Sequence, residues 1–326
     1  MSGIGVITNP RSRVNKKNPA QMQKLAYLLG SRGSAEATRS IDDLYRAAEE
    51  FKSAGIDILG INGGDGTIHV TLTAFMKVYG DTPLPKIAIL RGGTLNTIAA
   101  GLGIRGTTQE LLYSVIDRYH QGDDLACVQA NVMQIGDKFG FIFGNGVVAN
   151  FLGAYYATGK PSPIMGAKLL MRTVGSTMLG TSFAKNLFQR FHGQVTVDGE
   201  AWARTDFVTI LAATVPEIGL GFAPLYRCNE KPCHFAILGI HCSPASLVLE
   251  MLRIWHSRPM RRDKAISTVC ASTLIESEEP FSYTIDGDIY HGAQSLVLKT
   301  GPMVQLIVPE ARSPVYLNAH EHVLPP

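Results

Sequence analysis

A chain of 326 residues with 45% apolar and 17% charged side chains has the makeup of a soluble globular protein long enough for two cored domains. A net charge of +3 excludes bulk electrostatic attraction to nucleic acid as its main business, so no nucleic-acid partner is expected. No basic segment followed by a long apolar run marks a leader. No stretch approaches the roughly 18 apolar residues of a membrane span, and a cytoplasmic location is expected.

Residues 4–8 read as a short apolar strand ending at Asn9-Pro10. Met22, Leu25, Leu28 and Leu29 then mark a helix face, with Gly30 and Gly33 as stop signals. Ser40, with Asp43 three residues on, opens a second helix carrying Leu44, Ala47, Ala48 and Phe51, and Gly55 closes it. Residues 56–61 form an apolar run, followed by Gly63-Gly64-Asp65-Gly66-Thr67, a helical pattern over 67–79 and a strand over 86–90. This alternation predicts a doubly wound α/β domain whose ligands bind beyond the carboxyl ends of its parallel strands.

After residue 125 short β-like runs recur, at 126–135, 138–143, 194–197, 207–213, 234–240, 265–276, 281–285, 295–299 and 303–308. They predict an antiparallel β-sandwich, interrupted by a helical insertion near 160–190. The expected domains are therefore 1–124, 125–309 and a tail, 310–326, with the option of returning to the first domain. The five cysteines are Cys127, Cys228, Cys233, Cys242 and Cys270. With His234 and His241 nearby, three of them cluster as zinc ligands do, but the loose spacing favours reduced thiols in a β-rich core.

Gly63 to Thr67 carry the most information. A strand, a tight glycine turn and a helix N-terminus make an anion site, because glycine lets backbone N–H groups approach phosphate and the helix dipole favours negative charge. Asp65 in such a turn would repel phosphate unless it holds a cation or accepts a proton. Three further loops lie at strand ends or turns: Asn9-Pro10-Arg11-Ser12-Arg13, Gly93-Thr94-Leu95-Asn96 and Asp286-Gly287-Asp288.

In this order and spacing the loops resemble the diacylglycerol kinase catalytic-domain family, which includes bacterial lipid kinases and the sphingosine and ceramide kinases, over roughly residues 4–309. More distantly the chain is similar to NAD kinase. The resemblance implies a nucleotide-binding α/β domain, a β-sandwich that helps form the lipid site, and an active site in the cleft between the domains. It implies ATP and Mg2+ as cofactors. Asn9, Pro10, Arg11, Ser12 and Arg13, Gly63, Gly64, Asp65, Gly66 and Thr67, and Gly93, Thr94 and Asn96 would bind the nucleotide. Asp65 and Asp124, the latter through water, would serve the metal. Asp288 would be the general base, and Asp286 and Asp65 would complete the catalytic carboxylates. Gly144-Asn145-Gly146 and Gly219 to Pro224 resemble glycine-rich segments of the second domain.

Three residues depart from the family pattern: Arg13 for a glycine, Thr97 for an aspartate, and Asp288 for a glutamate. Asp198-Gly199-Glu200 spells the family's last triplet literally, but its place between two strand-like runs reads as a hairpin turn. The apolar and basic residues of 160–190, with Arg258, Arg261, Arg262 and Lys264, lead us to expect peripheral membrane contact. Relatives often dimerise, so a homodimer is among the expected assemblies. The expected activity is ATP-dependent phosphorylation of a lipid hydroxyl. The alternatives are a nucleotide- or lipid-binding protein with little transfer, or a kinase of a soluble acceptor.

Overall fold

A computed structural model of the chain describes residues 3–30, 33–159 and 161–309. The expected tail, 310–326, lies outside the described residues. The chain divides into two compact units, the first ending at Ala130 and resuming at Met303, the second running from Asn131 to Pro302.

In the first unit β1 (Ile4–Thr8), α1 (Arg13–Lys17), α2 (Ala20–Leu29), β2 (Gly33–Ala37), α3 (Ile41–Ala54), β3 (Ile58–Asn62), α4 (Asp65–Tyr79), β4 (Lys86–Ile89), α5 (Thr97–Gly101) and α6 (Thr108–Gln121) alternate. The strands are parallel in the order β4-β3-β1-β2. Every residue of β1 and β3 is buried, as their continuous apolar runs require when helices cover both faces. Ile4, Val6 and Ile58 pack with Leu25 and Leu29 of α2 and Leu112, Val115 and Ile116 of α6. The predicted start of α3 is a true capping box: the Asp43 amide donates to Ser40 Oγ, and Asp43 accepts from the Ser40 amide. Gly55 ends the helix in the left-handed conformation.

The second unit continues β5 (Cys127–Ile135) with β6 (Lys138–Gly140), β7 (Ile142–Asn145), α7 (Val147–Ala157), α8 (Pro163–Met178), α9 (Ser182–Leu187), β8 (Phe191–His192), β9 (Gln194–Val197), β10 (Glu200–Ala201), β11 (Asp206–Phe207), β12 (Thr209–Ala213), β13 (Phe235–Ile240), α10 (Pro244–Trp255), β14 (Ala265–Cys270), β15 (Ser272–Ile285) and β16 (Asp288–Ile307). Its main sheet is antiparallel, in the order β14-β13-β12-β7-β15-β16, with β9 also on β15. Phe143, Phe207, Phe235, Ile275, Ile285 and Leu298 fill one core between these strands.

Two readings of the sequence change. The runs at 265–276 and 281–285, split by Pro280, belong mostly to one long strand, because the proline falls where the β15–β16 register slips between Glu276 and Phe281 and no ladder amide is needed there. Helices α7 and α10 join the predicted insertion. The Ser243 hydroxyl accepts from the Ser246 amide and Pro244 occupies the first turn of α10, a start signal legible in the sequence. Among the described residues no helix is long and apolar enough to cross a membrane.

Candidate functional site

In the first unit two glycine loops meet backbone to backbone at the carboxyl ends of β3 and β4. A Cβ on Gly93 would collide with the Cα of Gly64, and one on Gly63 with the Thr67 side chain, so these positions admit only glycine. Thr67, 6% exposed, accepts from Asn9 Nδ2 at 2.9 Å, which ties the loop after β1 to the turn after β3. Asn9 Oδ1 in turn accepts from the Arg11 amide at 2.9 Å. The nucleotide loops named from the sequence, Asn9 to Arg13, Gly63 to Thr67 and Gly93 to Asn96, thus gather at one end of the sheet.

Beneath them lies an asparagine network that sequence reasoning missed. Asn15 Nδ2 donates to the Asn9 carbonyl at 2.8 Å and the Asn62 carbonyl at 3.2 Å, and Asn62 Nδ2 donates to Asn15 Oδ1 at 3.1 Å. Its signal was an amide side chain closing an otherwise apolar strand just before Gly63-Gly64, where only a polar bond could justify burial.

Asp65 has a firm structural occupation. Its Oδ2 accepts from the Thr97 amide at 2.9 Å and its Oδ1 from the Ile98 amide at 3.1 Å. Asn96 stands at the N-cap of α5 in a left-handed conformation, and its Oδ1 accepts from the Gly93 amide at 3.0 Å instead of capping the helix. Asp65 therefore caps α5 from 32 residues upstream. Burial pushes its carboxyl above the usual range, and the amides of Thr97 and Ile98 work against that rise.

Asp124 is exposed and follows the C-terminus of α6, its carbonyl accepting from Arg118 Nη2 at 3.2 Å. Its neighbours Asp123 and Leu125 line a cavity of about 620 Å³ with Lys52, Asp57, Tyr79, Lys86 and Tyr119. Asp57 and Lys86 sit where β3 and β4 begin, whereas Asp65 follows the end of β3. Among the described residues no group of three or more His, Cys, Asp or Glu side chains is placed to hold a metal. Asp65 is the one carboxylate in the three loops; Mg2+, which commonly binds through one or two carboxylates and keeps its other ligands from water and substrate, would fit such a set, and the residues present do not make a protein cage.

In the second unit Asp286 and Gly287 are the two turn residues between β15 and β16, with Ile285 facing Asp288. Both have positive φ, 47° and 94°, the signature of a type I′ hairpin. Asp286 is 3% exposed, and its carboxylate accepts from the amides of Phe141, at 3.0 Å, and Ile142, at 2.8 Å. Asp288, on the far side of the turn, takes no part in that clamp. Burial pushes Asp288 above the usual carboxylate range. Cross-strand pairing puts it on the same face as Ile285, Tyr283 and Tyr290, the core face of the hairpin, which is the physical origin of that desolvation. Tyr156, from α7, donates to the Gly287 carbonyl at 2.9 Å. Sequence reasoning missed that brace.

Asp198 and Gly199 form the expected hairpin turn, with Glu200 opposite Val197 and exposed. Asn145 is fully buried and its Oδ1 accepts from the Ile210 amide at 2.6 Å, so the Gly144 to Gly146 segment ties β7 to β12. The Gly219 to Pro224 segment makes a tight turn closed by Ile218 N–H to the Phe222 carbonyl at 2.9 Å. All five cysteines are free thiols, and burial pushes Cys228 up to about 12.

Residues 3–128 match the family model of the diacylglycerol kinase catalytic domain. Lipid kinase YegS of Escherichia coli (strain K12) is 34% identical over 90 residues, 28% of this chain and 28% of that protein, so the match spans under a third of the relative's length. A diacylglycerol kinase of Bacillus anthracis str. Sterne superposes with a TM-score of 0.64 at 16% identity, covering 95% of this chain and 97% of that one. A second protein of the same strain gives a TM-score of 0.69 at 16% identity, with 95% and 98% covered. These superpositions speak for a shared fold through both units.

Proposed function

We propose that this chain, whose residues 3–128 belong to the diacylglycerol kinase catalytic-domain family, is an ATP- and Mg2+-dependent lipid kinase acting on a hydroxyl of a diacylglycerol-like lipid. The observation that carries the reading is the close packing of Gly63-Gly64 against Gly92-Gly93 at the carboxyl ends of adjacent parallel strands, beside the N-terminus of α4, where backbone amides and the helix dipole favour an anion. Loop amides and the Thr67 hydroxyl hold the triphosphate. Mg2+, when bound, would supply charge neutralisation, with Asp65 the carboxylate of these loops nearest to serve it. Asp288 takes the proton of the lipid hydroxyl as its oxygen bonds to the γ-phosphorus and the bond to the β-γ bridging oxygen breaks, releasing ADP.

Membrane contact has support in the second unit. Ile164, Met171 and Met178 recur every seven residues on α8 and are 71%, 71% and 57% exposed. On the neighbouring α10, Leu249, Leu252 and Trp255 form a similar exposed stripe. Lys168 and Arg172 on α8 and the exposed Arg258, Arg261 and Arg262 beyond α10 supply positive charge, the pattern of an interfacial surface for anionic lipid.

The test is transfer of labelled phosphate from ATP to long-chain glycerolipids and sphingoid bases in mixed micelles, run beside a soluble-metabolite extract. Labelling of a lipid supports the proposal. Labelling confined to the extract assigns a soluble acceptor. Tight ATP binding with no transfer to either favours a binding protein, a reading that gains weight from Thr97 lacking a carboxylate and from both Asp65 oxygens being taken by α5.

A further inference from the structure

Arg91 directly follows Leu90, whose amide donates to the Ile61 carbonyl at 2.9 Å, so it stands at the carboxyl end of the β4 strand line. Its φ is +53°, a left-handed conformation that a residue with a Cβ adopts only under constraint. Its Nε is buried and meets no hydrogen-bond partner. Among the described residues the guanidinium makes no ion pair either. The next residue, Gly92, packs against Asn62 and the Gly63 amide, and its carbonyl accepts from the Val14 amide at 3.1 Å. The neighbouring glycines could have taken the left-handed position at no steric penalty, yet the chain spends it on arginine. Strain and an unmet buried donor at one residue mark a group held ready for a ligand.

We propose that Arg91 is an anion-binding residue of the nucleotide site, its planar guanidinium receiving phosphate oxygens of a nucleoside triphosphate. The inference rests on the reading of this site as the ATP site and adds the residue that supplies its fixed positive charge. Arginine suits the task because its fork matches two phosphate oxygens and stays charged at any working pH. It also offsets the charge balance of a turn that contains Asp65. Arg11 and Arg13 lie on the loop after β1, which the Val14 amide ties to the Gly92 carbonyl, and give a comparison for how much of the charge effect belongs to Arg91 itself.

Arg91→Asn and Arg91→Gly accept the left-handed conformation while removing the charge; Arg91→Lys keeps a charge and loses the fork. Calorimetric titration with ATP and thermal melting are run on the full chain, and melting is repeated with inorganic tripolyphosphate. The expected result is an equal or higher melting temperature for the Asn and Gly variants without ligand, together with ATP binding weakened about ten- to a hundredfold, the range of a lost hydrogen bond to a charged group. Arg91→Lys falls between, and Arg11→Ala has the smaller effect. The salt dependence of ATP binding also flattens in the neutral variants. Wild-type protein that binds ATP while Arg91→Asn binds it equally well overturns the role of Arg91 alone. A lowered melting temperature in both neutral variants assigns Arg91 to the fold and likewise overturns it. Wild type stabilised by tripolyphosphate through Arg91 but indifferent to ATP keeps the anion-binding residue and removes the nucleotide reading. Stabilisation by neither removes both.

Discussion

Asp198 and Asp286 do the same job in different surroundings. Each opens an Asp-Gly turn, at φ 48° and 47°, and each carboxylate accepts from two consecutive amides of another segment, Ala271 and Ser272 for Asp198, Phe141 and Ile142 for Asp286. The difference is solvent. Asp286 and its amide partners are buried, whereas Asp198 is exposed beside an exposed Ala271. Asp286→Ala should therefore destabilise the protein by about 1–3 kcal/mol, since two buried amides lose their acceptor, while Asp198→Ala should cost under about 1 kcal/mol because water can replace the carboxylate. Urea denaturation midpoints decide it, and equal losses would show that burial is not what separates the two turns.

The residues two places on, Glu200 and Asp288, inherit that contrast. Glu200→Gln should leave phosphate transfer unchanged, whereas Asp288→Asn should lower it about a hundredfold or more, the usual loss of a general base. Burial raises the Asp288 pKa above 3.8, so its proton is favoured in the folded state. Stability from this group is then full at low pH and falls as pH rises through the raised value. Asp288→Asn, which does not titrate, should melt higher than wild type at pH 8, with the gap closing toward pH 4. Transfer by wild type should fall with acidification while the pH is still above 3.8. A variant that melts lower at pH 8 would mean that Asp288 is held by partners as an anion.

Asp65→Ala should destabilise the nucleotide-free protein by about 0.5–2 kcal/mol, the range of a lost helix N-cap, and Asp65→Asn by less because one acceptor survives. Amide exchange at Thr97 and Ile98 should rise in the alanine variant. An aspartate that served only a metal would leave both measurements untouched without Mg2+.

Met171→Asp and Trp255→Asp, each at an exposed site, should leave melting within about 0.5 kcal/mol of wild type and reduce cosedimentation with anionic vesicles severalfold. Vesicle binding that is indifferent to both substitutions and to anionic lipid removes the α8–α10 surface as the membrane face.

Local physics made much of this protein legible. The continuous apolar runs at 4–8 and 56–61 specified buried parallel strands, found at Ile4–Thr8 and Ile58–Asn62, and Ser40, Asp43 and Gly55 specified both ends of α3, because these signals act over a few residues. The glycine turn announced a close backbone approach at the end of β3, since only glycine permits it there. The extent of β15 across Pro280 escaped, because whether a proline breaks a strand depends on whether the partner strand wants its amide there.

For the site the division is sharper. Chain order determined by itself which residues follow strands and which spell Asp-Gly turns, and so which residues were candidates. It did not separate Asp286 from Asp198, nor a free carboxylate from one committed to amides, because those distinctions rest on partners 73 to 145 residues away in the chain. Only the tertiary structure placed the amides of Thr97 and Ile98 on Asp65, turned Asp288 toward an apolar face, and left the buried Arg91 Nε without a partner. Desolvation and hydrogen bonding act through space, and composition along the chain carries no record of them.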